Sequence, residues 1–155
     1  MLPKKITLNL FSIILLIALM LSACAPAATP AVNSGDVPET GDTIVIGVYE
    51  PMTGSQAAGG QQTMQGVNLA YEQKGTVLGR PIKMVLVDNR SDKAESATAM
   101  TRLIEYEKAV AIVGSYGSSN SMAGGEVSEA AGIPVMGCSP TNPLVTEGKQ
   151  FYFRA

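Results

Sequence analysis

Apolar, β-branched runs alternate with segments of helical periodicity from Thr43 to the end of the chain. Continuously apolar runs of this length are typical of buried strands, and apolar positions three and four residues apart are typical of helices. The pattern predicts strands over residues 43–49, 81–88, 109–114 and 132–137, a fifth strand starting within 151–153, and helices over 61–73, 93–108 and 121–131. Residues 75–80 are predicted to form a turn. This alternation predicts an α/β fold, a parallel sheet with helices on both faces.

The segment between the second strand and the second helix contains two aspartates. Asp92, with Glu95 three residues later, resembles a capping box in which Asp replaces the usual Ser or Thr. Asp88 and Asp92 could also form a metal pair, but the simpler interpretation is that Asp88 ends a strand and Asp92 caps a helix.

The N-terminal residues have a different pattern. Two lysines precede an apolar stretch over residues 6–20, which is short for a segment that spans a bilayer. Together with the small residues of "LSAC" (21–24), this pattern predicts an export signal over residues 1–24, the alternative being a transmembrane anchor. "LSAC" resembles the lipobox of bacterial lipoproteins. That resemblance implies that Cys24 becomes the first mature residue, carries the lipid and anchors the protein on the outer face of the bacterial cytoplasmic membrane.

Residues 25–42 are rich in Ala, Pro, Thr and Gly and have no apolar periodicity. This composition predicts a flexible tether between the lipid and a folded lobe over residues 43–155.

Composition excludes several classes of function. A net charge of -2 argues against a nucleic-acid partner, because phosphate binding needs a basic face. The absence of histidine removes His-based catalysis, the Ser-His-Asp triad and most zinc sites. The two cysteines, Cys24 and Cys138, are too far apart for a metal cluster, and Cys138 is predicted to be a partly buried free thiol.

Three segments follow the carboxyl ends of predicted strands, where open α/β sheets bind ligands. They are "EPMTGSQAAGG" (50–60), "GSYGSSNS" (114–121) and "CSPTNPLVT" (138–146). None contains G-x-G-x-x-G, G-x-x-x-x-G-K-[ST] or G-x-S-x-G, so nucleotide loops and a serine-nucleophile elbow are not predicted. Their hydroxyl and glycine content predicts a binding site for a small polar solute.

The most specific prediction concerns the second segment. Ser118, Ser119 and the amides around them stand where a strand gives way to a helix, and helix N-termini favour anions such as carboxylates. Thr141 could add an amide and a hydroxyl. No catalytic group, cofactor or metal is expected in this constellation.

The ordered motifs "IVIGVYEPMTG", "GVNLAYEQ", "VLGRPIKMVLVDNRSD", "RLIEYEKAVAIVGSYGSSNSMA", "AAGIPVMGCSPTNPLVTEG" and "FYFR" closely resemble the N-terminal lobe of branched-chain amino-acid-type substrate-binding proteins of ABC transporters. The resemblance implies two lobes closing on an amino acid or related solute, which ABC permease subunits then import. It implies that Ser118, with Ser119 as the alternative register, holds the carboxylate. The carbonyl of Ser139 and the side chain of Thr141 would hold the ammonium.

The sequence departs from the family pattern in three respects. The first loop often carries an aromatic residue near the ligand, whereas this chain has Ala57 and Ala58, so amide- or urea-type ligands stay open. Gly117 has no thiol, so the disulfide of some members is not expected. The sequence ends at Ala155, before the second lobe would begin. The competing interpretation is a tethered sensing or interaction lipoprotein on the same fold, such as an activator of a cell-wall synthase.

Overall fold

The computed structural model describes residues 43–155, so the predicted signal peptide, Cys24 and the tether lie outside the described residues. The strands are β1 (Ile44–Glu50), β2 (Thr76–Val77), β3 (Arg80–Asp88), β4 (Ala111–Gly114), β5 (Val135–Gly137) and β6 (Tyr152–Arg154). The helices are α1 (Ala57–Gln73), α2 (Lys93–Thr101), which continues into a π-helical turn (Arg102–Tyr106), and α3 (Ser118–Ala131); a 3₁₀ turn spans Pro143–Val145. No helix within residues 43–155 is long and apolar enough to cross a membrane.

The six strands form one sheet in the order β2-β3-β1-β4-β5-β6. The β2–β3 pair is antiparallel, and the four other pairs are parallel. From β1 the chain crosses first to β3 on one side and then to β4 on the other. The strand order therefore reverses between β1 and β4, and the crevice at such a point is where doubly wound sheets bind ligands.

One sheet face packs against α2 and α3 and forms the core. Tyr49, Ile112, Val135 and Tyr152 lie on this face, together with Leu103 from the π-helical turn. The Tyr152 hydroxyl donates to the Gly114 carbonyl at 2.7 Å, so the 2.8 Å contact between the two tyrosine hydroxyls is a donation from Tyr49. This chain of two hydrogen bonds connects β1 and β6 to the end of β4 inside the core.

Two glycines in α3 allow this packing. A Cβ at Gly124 would lie 2.7 Å from Cε2 of Tyr49, and one at Gly125 would lie 3.0 Å from Cδ2 of Tyr152. The glycines cost helix propensity, but they let the helix backbone approach the two buried rings.

The opposite sheet face packs against α1 less completely. A groove of about 720 Å³ separates α1 from Ile46, Met84 and Val113. Further along the same face, the side chains of Met136 and Phe153 are 45% and 49% exposed. The predicted parallel sheet with helices on both faces is confirmed, although one face is only partly covered.

Several element boundaries differ from the sequence prediction. Helix α1 begins at Ala57 rather than residue 61, and α3 begins at Ser118 rather than 121. The helix predicted over 93–108 changes to π-helical geometry at Arg102, the strands predicted from 109 and 132 begin at Ala111 and Val135, and the predicted turn contains β2. The shift at Ser118 matters for function, because it places two candidate serines in the first turn of a helix.

Candidate functional site

The candidate site lies at the carboxyl ends of β1, β4 and β5. Three segments converge there: the first loop (residues 51–56), the serine loop (residues 115–117) and the threonine loop (residues 138–142). Parallel strands bring their carboxyl ends to one edge of the sheet, so segments far apart in sequence become neighbours.

The N-terminus of α3 is open at this edge. Gly117 precedes the helix with φ of 93°, and no side chain caps the first turn. The first helical hydrogen bond runs from the amide of Ser121 to the carbonyl of Gly117 at 3.0 Å. The amides of Ser118 and Ser119 therefore lie ahead of that bond, at the positive end of the helix dipole.

The first turn of α3 and the threonine loop meet at Ser118. Its hydroxyl oxygen accepts a hydrogen bond from the amide of Asn142 at 3.1 Å, which leaves its own O–H free to donate. Thr141, the residue before Asn142, is exposed, as are Ser119 and Ser139. The structure thus brings Ser118 next to the Thr141 segment. Ser139 instead lines the α1 groove, as Tyr116 and Cys138 do. We refer to Ser118, Ser119, Ser139 and Thr141 together as the cradle.

Side-chain bonds hold the serine loop in place. The side-chain Nδ2 of Asn89 donates to the Ser115 hydroxyl at 2.8 Å, and the Ser121 hydroxyl donates to the Ser115 carbonyl at 2.9 Å. The side chain of Asn120 donates to Gln56 of the first loop at 2.8 Å. All these groups are buried or half-buried, so the bonds order the backbone before any solute arrives.

Asp88 positions the first loop. Its carboxylate accepts from the amide of Met52 at 2.8 Å and from the amide and hydroxyl of Thr53 at 3.3 and 2.7 Å. Burial raises the pKa of Asp88, but the bonds from Thr53, Arg90 and Met52 outweigh burial and hold that pKa below its usual value.

Asp92 caps α2, and the interpretation of Asp88 and Asp92 as a strand end and a helix cap is confirmed. The Asp92 side chain accepts from the amides of Ala94 and Glu95 at 2.8 and 3.0 Å. Glu95 pairs with Arg90 at 3.7 Å and the amide of Asp92 donates to a carbonyl, so only half of the predicted capping box forms. Within residues 43–155, no group of three or more acidic, Cys or His side chains is arranged to hold a metal.

Glu50 is a site residue that the sequence reasoning missed. Its side chain is fully buried at the end of β1, and its Oε2 accepts from the amide of Tyr116 at 2.7 Å. Its Oε1 has no partner among the described residues. Burial raises the pKa of Glu50 from 4.5 to about 7, against the opposing effect of the Tyr116 amide. The signal in the sequence was an acidic residue at the end of an apolar strand. The sequence could not show its partner, because Tyr116 is 66 residues away.

Replacing Glu50 with glutamine is expected to stabilise the fold at neutral pH. The folded-state pKa of Glu50 lies above 4.5, its value in the unfolded chain. Protonated Glu50 therefore makes its full contribution to the free energy of unfolding below pH 4.5, and this contribution is lost as pH rises through about 7. A pKa shift of this size lowers the free energy of unfolding of wild type by up to about 3 kcal/mol at pH 8. Glutamine keeps the acceptor for Tyr116 without the charge.

Urea unfolding at pH 4 and pH 8 measures this effect. Glu50→Gln and wild type are expected to differ little at pH 4, with the variant the more stable at pH 8. Glu147→Gln, at an exposed glutamate, serves as the control. Equal stability of Glu50→Gln and wild type at both pH values would contradict a buried, uncompensated carboxylate.

Cys138 is a half-buried free thiol, as predicted. Burial and the negative charge of Glu50 raise the pKa of its thiol, so the reactive thiolate is disfavoured. The protonated Cys138 side chain therefore adds a small apolar surface beside Ser139 and does not act as a nucleophile.

A family comparison identifies the fold. Residues 43–155 match the family model described as "Periplasmic binding protein". The chain belongs to this family. The predicted resemblance is therefore confirmed, and it covers all the described residues.

Individual relatives are binding proteins. The chain is 36% identical over 107 residues to an amino acid binding protein of Pseudomonas aeruginosa, and this match covers 67% of the chain and 29% of the relative. A solved leucine-binding protein from Thermotoga maritima matches with a TM-score of 0.70 and 41% identity, over 72% of this chain and 32% of that one. The chain thus spans about a third of the length of the relatives it matches.

Two other solved relatives contain a bound carboxylate. A branched-chain amino acid transporter substrate-binding protein from Streptococcus pneumoniae, in complex with isoleucine, matches with a TM-score of 0.69 and 33% identity over 73% of this chain and 33% of that one. A solute-binding protein from R. palustris, in complex with 4-hydroxybenzoate, matches with a TM-score of 0.67 and 30% identity over 73% of this chain and 31% of that one. The two ligands share a carboxylate and an apolar body.

Proposed function

We propose that this chain is the N-terminal, carboxylate-binding lobe of an extracytoplasmic solute-binding protein that captures an amino acid or a related solute for import by an ABC transporter. The observation that carries the proposal is the junction at Ser118. There the open N-terminus of a 14-residue helix meets the threonine loop through the bond from Asn142. Amide donors, a free hydroxyl and the positive end of a helix dipole suit a carboxylate.

Each cradle residue has a proposed role. The amides of Ser118 and Ser119 and the hydroxyl of Ser118 hold the carboxylate. Ser118 is favoured over Ser119 as the hydroxyl donor because the bond from Asn142 orients its oxygen. The exposed hydroxyl of Thr141 and the carbonyl of Ser139 receive the solute's ammonium, and the amide of Thr141 adds a donor for the carboxylate. Each role is a hydrogen bond to an intact solute, so the proposed activity is binding without catalysis, metal or cofactor.

The remaining parts of the proposal concern the whole protein. A second lobe supplies the acidic partner for the ammonium and closes over the solute by a hinge motion, as periplasmic binding proteins do around their ligands. Cys24 carries the lipid, residues 25–42 form the tether, and the closed protein delivers its solute to permease subunits at the membrane. The names of the relatives support capture of amino acids first, with aromatic carboxylates as a second class.

The experiment that tests this function is a titration of residues 25–155 with carboxylate solutes, observed at the cradle amides by NMR. Specific shifts at the first turn of α3 support the proposal. Absence of shifts there with every solute contradicts it.

A further inference from the structure

The hairpin formed by β2 and β3 ends in an exposed leucine. Leu78 and Gly79 make up its two-residue turn, and the Leu78 side chain is 93% exposed. Val77, the residue before the turn, is 40% exposed. A Cβ at Gly79 would meet no atom within 4 Å outside the adjacent residues, so the turn stands clear of the other described residues. We refer to residues 77–80 as the hairpin tip.

Leucine is an unfavourable residue for this turn. The φ angle is 53° at Leu78 and 74° at Gly79, the positive values of a type I′ turn. Asn-Gly and Asp-Gly are the preferred pairs in such turns, because a larger side chain is strained at positive φ. Leu78 therefore costs backbone strain and exposes apolar surface, and at 93% exposure it gains almost no packing in return. Neither cost serves the fold, which points to a contact outside the lobe.

The hairpin tip lies at the amino ends of the parallel strands, which we call the amino edge. Ile44, the first residue of β1, pairs with Ile82, so Arg80 lies two residues, about 7 Å, beyond the start of β1. The proposed tether, residues 25–42, joins the lobe at Thr43 on this same edge. The cradle lies at the opposite edge, where the strands end. The edge through which the lobe is tethered thus carries the hairpin tip.

Basic side chains lie on both sides of the start of β1. Lys74 follows the end of α1 and Arg80 follows the hairpin turn, and both side chains are exposed. On the other side, exposed Lys108 precedes Val110, which is 56% exposed. The amide of Val110 donates to the carbonyl of Val45 at 3.0 Å, which places this segment beside the start of β1. The amino edge thus combines exposed apolar side chains with three cations.

Acidic side chains near this edge do not cancel its positive charge. Glu107 pairs with Arg102 at 3.2 Å, and Glu72 and Glu105 are exposed. Two exposed acids thus stand against the three cations, in a chain whose overall net charge is -2. The amino edge is therefore more basic than the chain as a whole.

We propose that the amino edge is a membrane-docking surface, with the hairpin tip among anionic lipid headgroups and Lys74, Arg80 and Lys108 around it. An apolar tip beside cations suits acyl chains that lie beneath anionic headgroups. Residues 25–42 extend to at most about 60 Å, so tethering keeps the lobe close enough for a weak contact to form. Docked in this way, the lobe holds the cradle away from the bilayer. The inference goes beyond solute capture and rests on the proposed function only for the lipid anchor.

The test uses a fluorescent probe at the hairpin tip. The chain contains no tryptophan, so Leu78→Trp introduces a single one. In the full chain, anchored in vesicles of phosphatidylglycerol and phosphatidylcholine, its emission is expected to shift to shorter wavelength and to be quenched by brominated lipids. Leu144→Trp is the matched control, because Leu144 is 56% exposed near the cradle, and it should show neither effect. Adding Lys74→Gln should weaken the contact about fivefold, the attraction of one basic residue to an anionic surface.

A second probe leaves the hairpin tip unchanged. Val110→Trp should also be quenched, but more weakly, because Val110 lies level with Val45 whereas the tip projects beyond Ile44. Adding Leu78→Asn should abolish that quenching. Asn-Gly is favoured in type I′ turns, so this variant removes the apolar side chain without weakening the hairpin, and circular dichroism should show an unchanged fold.

The outcomes separate the membrane contact from the proposed anchor. An anchored chain whose Leu78→Trp emission is neither shifted nor quenched would overturn the docking surface and leave the anchor intact. A shift before vesicles are added would indicate a second copy of the chain over the tip and would overturn the membrane as partner. Equal quenching in vesicles of phosphatidylcholine alone would overturn the role of the three cations. A chain that neither stays with the vesicles nor shows quenching would overturn the anchor and the docking surface together.

Discussion

Replacing Ser118 with alanine is expected to weaken binding of a carboxylate solute by roughly 10- to 150-fold. The variant loses an O–H donor to a charged group, an interaction worth about 1.5–3 kcal/mol. It also leaves the amide of Asn142 without its acceptor, so the first turn of α3 and the threonine loop lose the bond that joins them. Thr141→Ala, in the adjoining loop, is expected to act similarly.

The measurement needs both lobes. A chimera in which this lobe replaces the matching third of the Thermotoga maritima leucine-binding protein provides them, and calorimetry with leucine gives the affinity. Ser119→Ala is the matched control, because it removes a neighbouring exposed hydroxyl and should change the affinity by about twofold at most. Unchanged affinity in both Ser118→Ala and Thr141→Ala would mean that the solute binds elsewhere. A large loss of affinity in Ser119→Ala alone would mean that Ser119, the alternative register, holds the carboxylate.

Replacing Cys24 with serine is expected to abolish lipid attachment in a bacterial host. A hydroxyl cannot form the thioether that joins the lipid to a lipobox cysteine, and several acyl chains on one residue are what hold a lipoprotein at a membrane. Wild type should incorporate a palmitate analogue and partition into detergent. Cys24→Ser should do neither.

Cys138→Ser is the control for this experiment, because it removes the other cysteine of the chain without touching "LSAC". It should label like wild type. Equal labelling of Cys24→Ser and wild type would contradict the lipoprotein proposal.

Most of the sheet could be predicted from the sequence because its parallel strands are mostly apolar and their carboxyl ends must meet at one edge. That edge carries the candidate serines and threonine, and the pattern of residues 43–137 was enough to place them there. The start of α3 was predicted three residues late, because Ser118, Ser119 and Asn120 have low helix propensity. In the fold, the open turn at Ser118 is stabilised by tertiary bonds to Asn142 and Gln56.

Glu50 and Tyr116 could not be predicted as site residues. Each is ordinary in its own segment, and their importance comes from a bond between residues 66 positions apart and from a ring placed against Gly59. Local pattern carries no information about such a pair. The same holds for Gly124, which the sequence shows only as a weak point in a helix.

A ¹H–¹⁵N NMR titration of residues 25–155 with isoleucine tests directly whether the cradle holds the solute's carboxylate. Ser119, Ser139 and Thr141 of the cradle are exposed to water. Coulomb attraction is weak in water, so binding to this chain alone is expected near a millimolar dissociation constant, about -4 kcal/mol. The largest shifts are expected at the amides of Ser118, Ser119 and Thr141. Shifts concentrated instead on α1 and the sheet face of its groove, or a micromolar dissociation constant for the monomeric chain, would contradict this expectation.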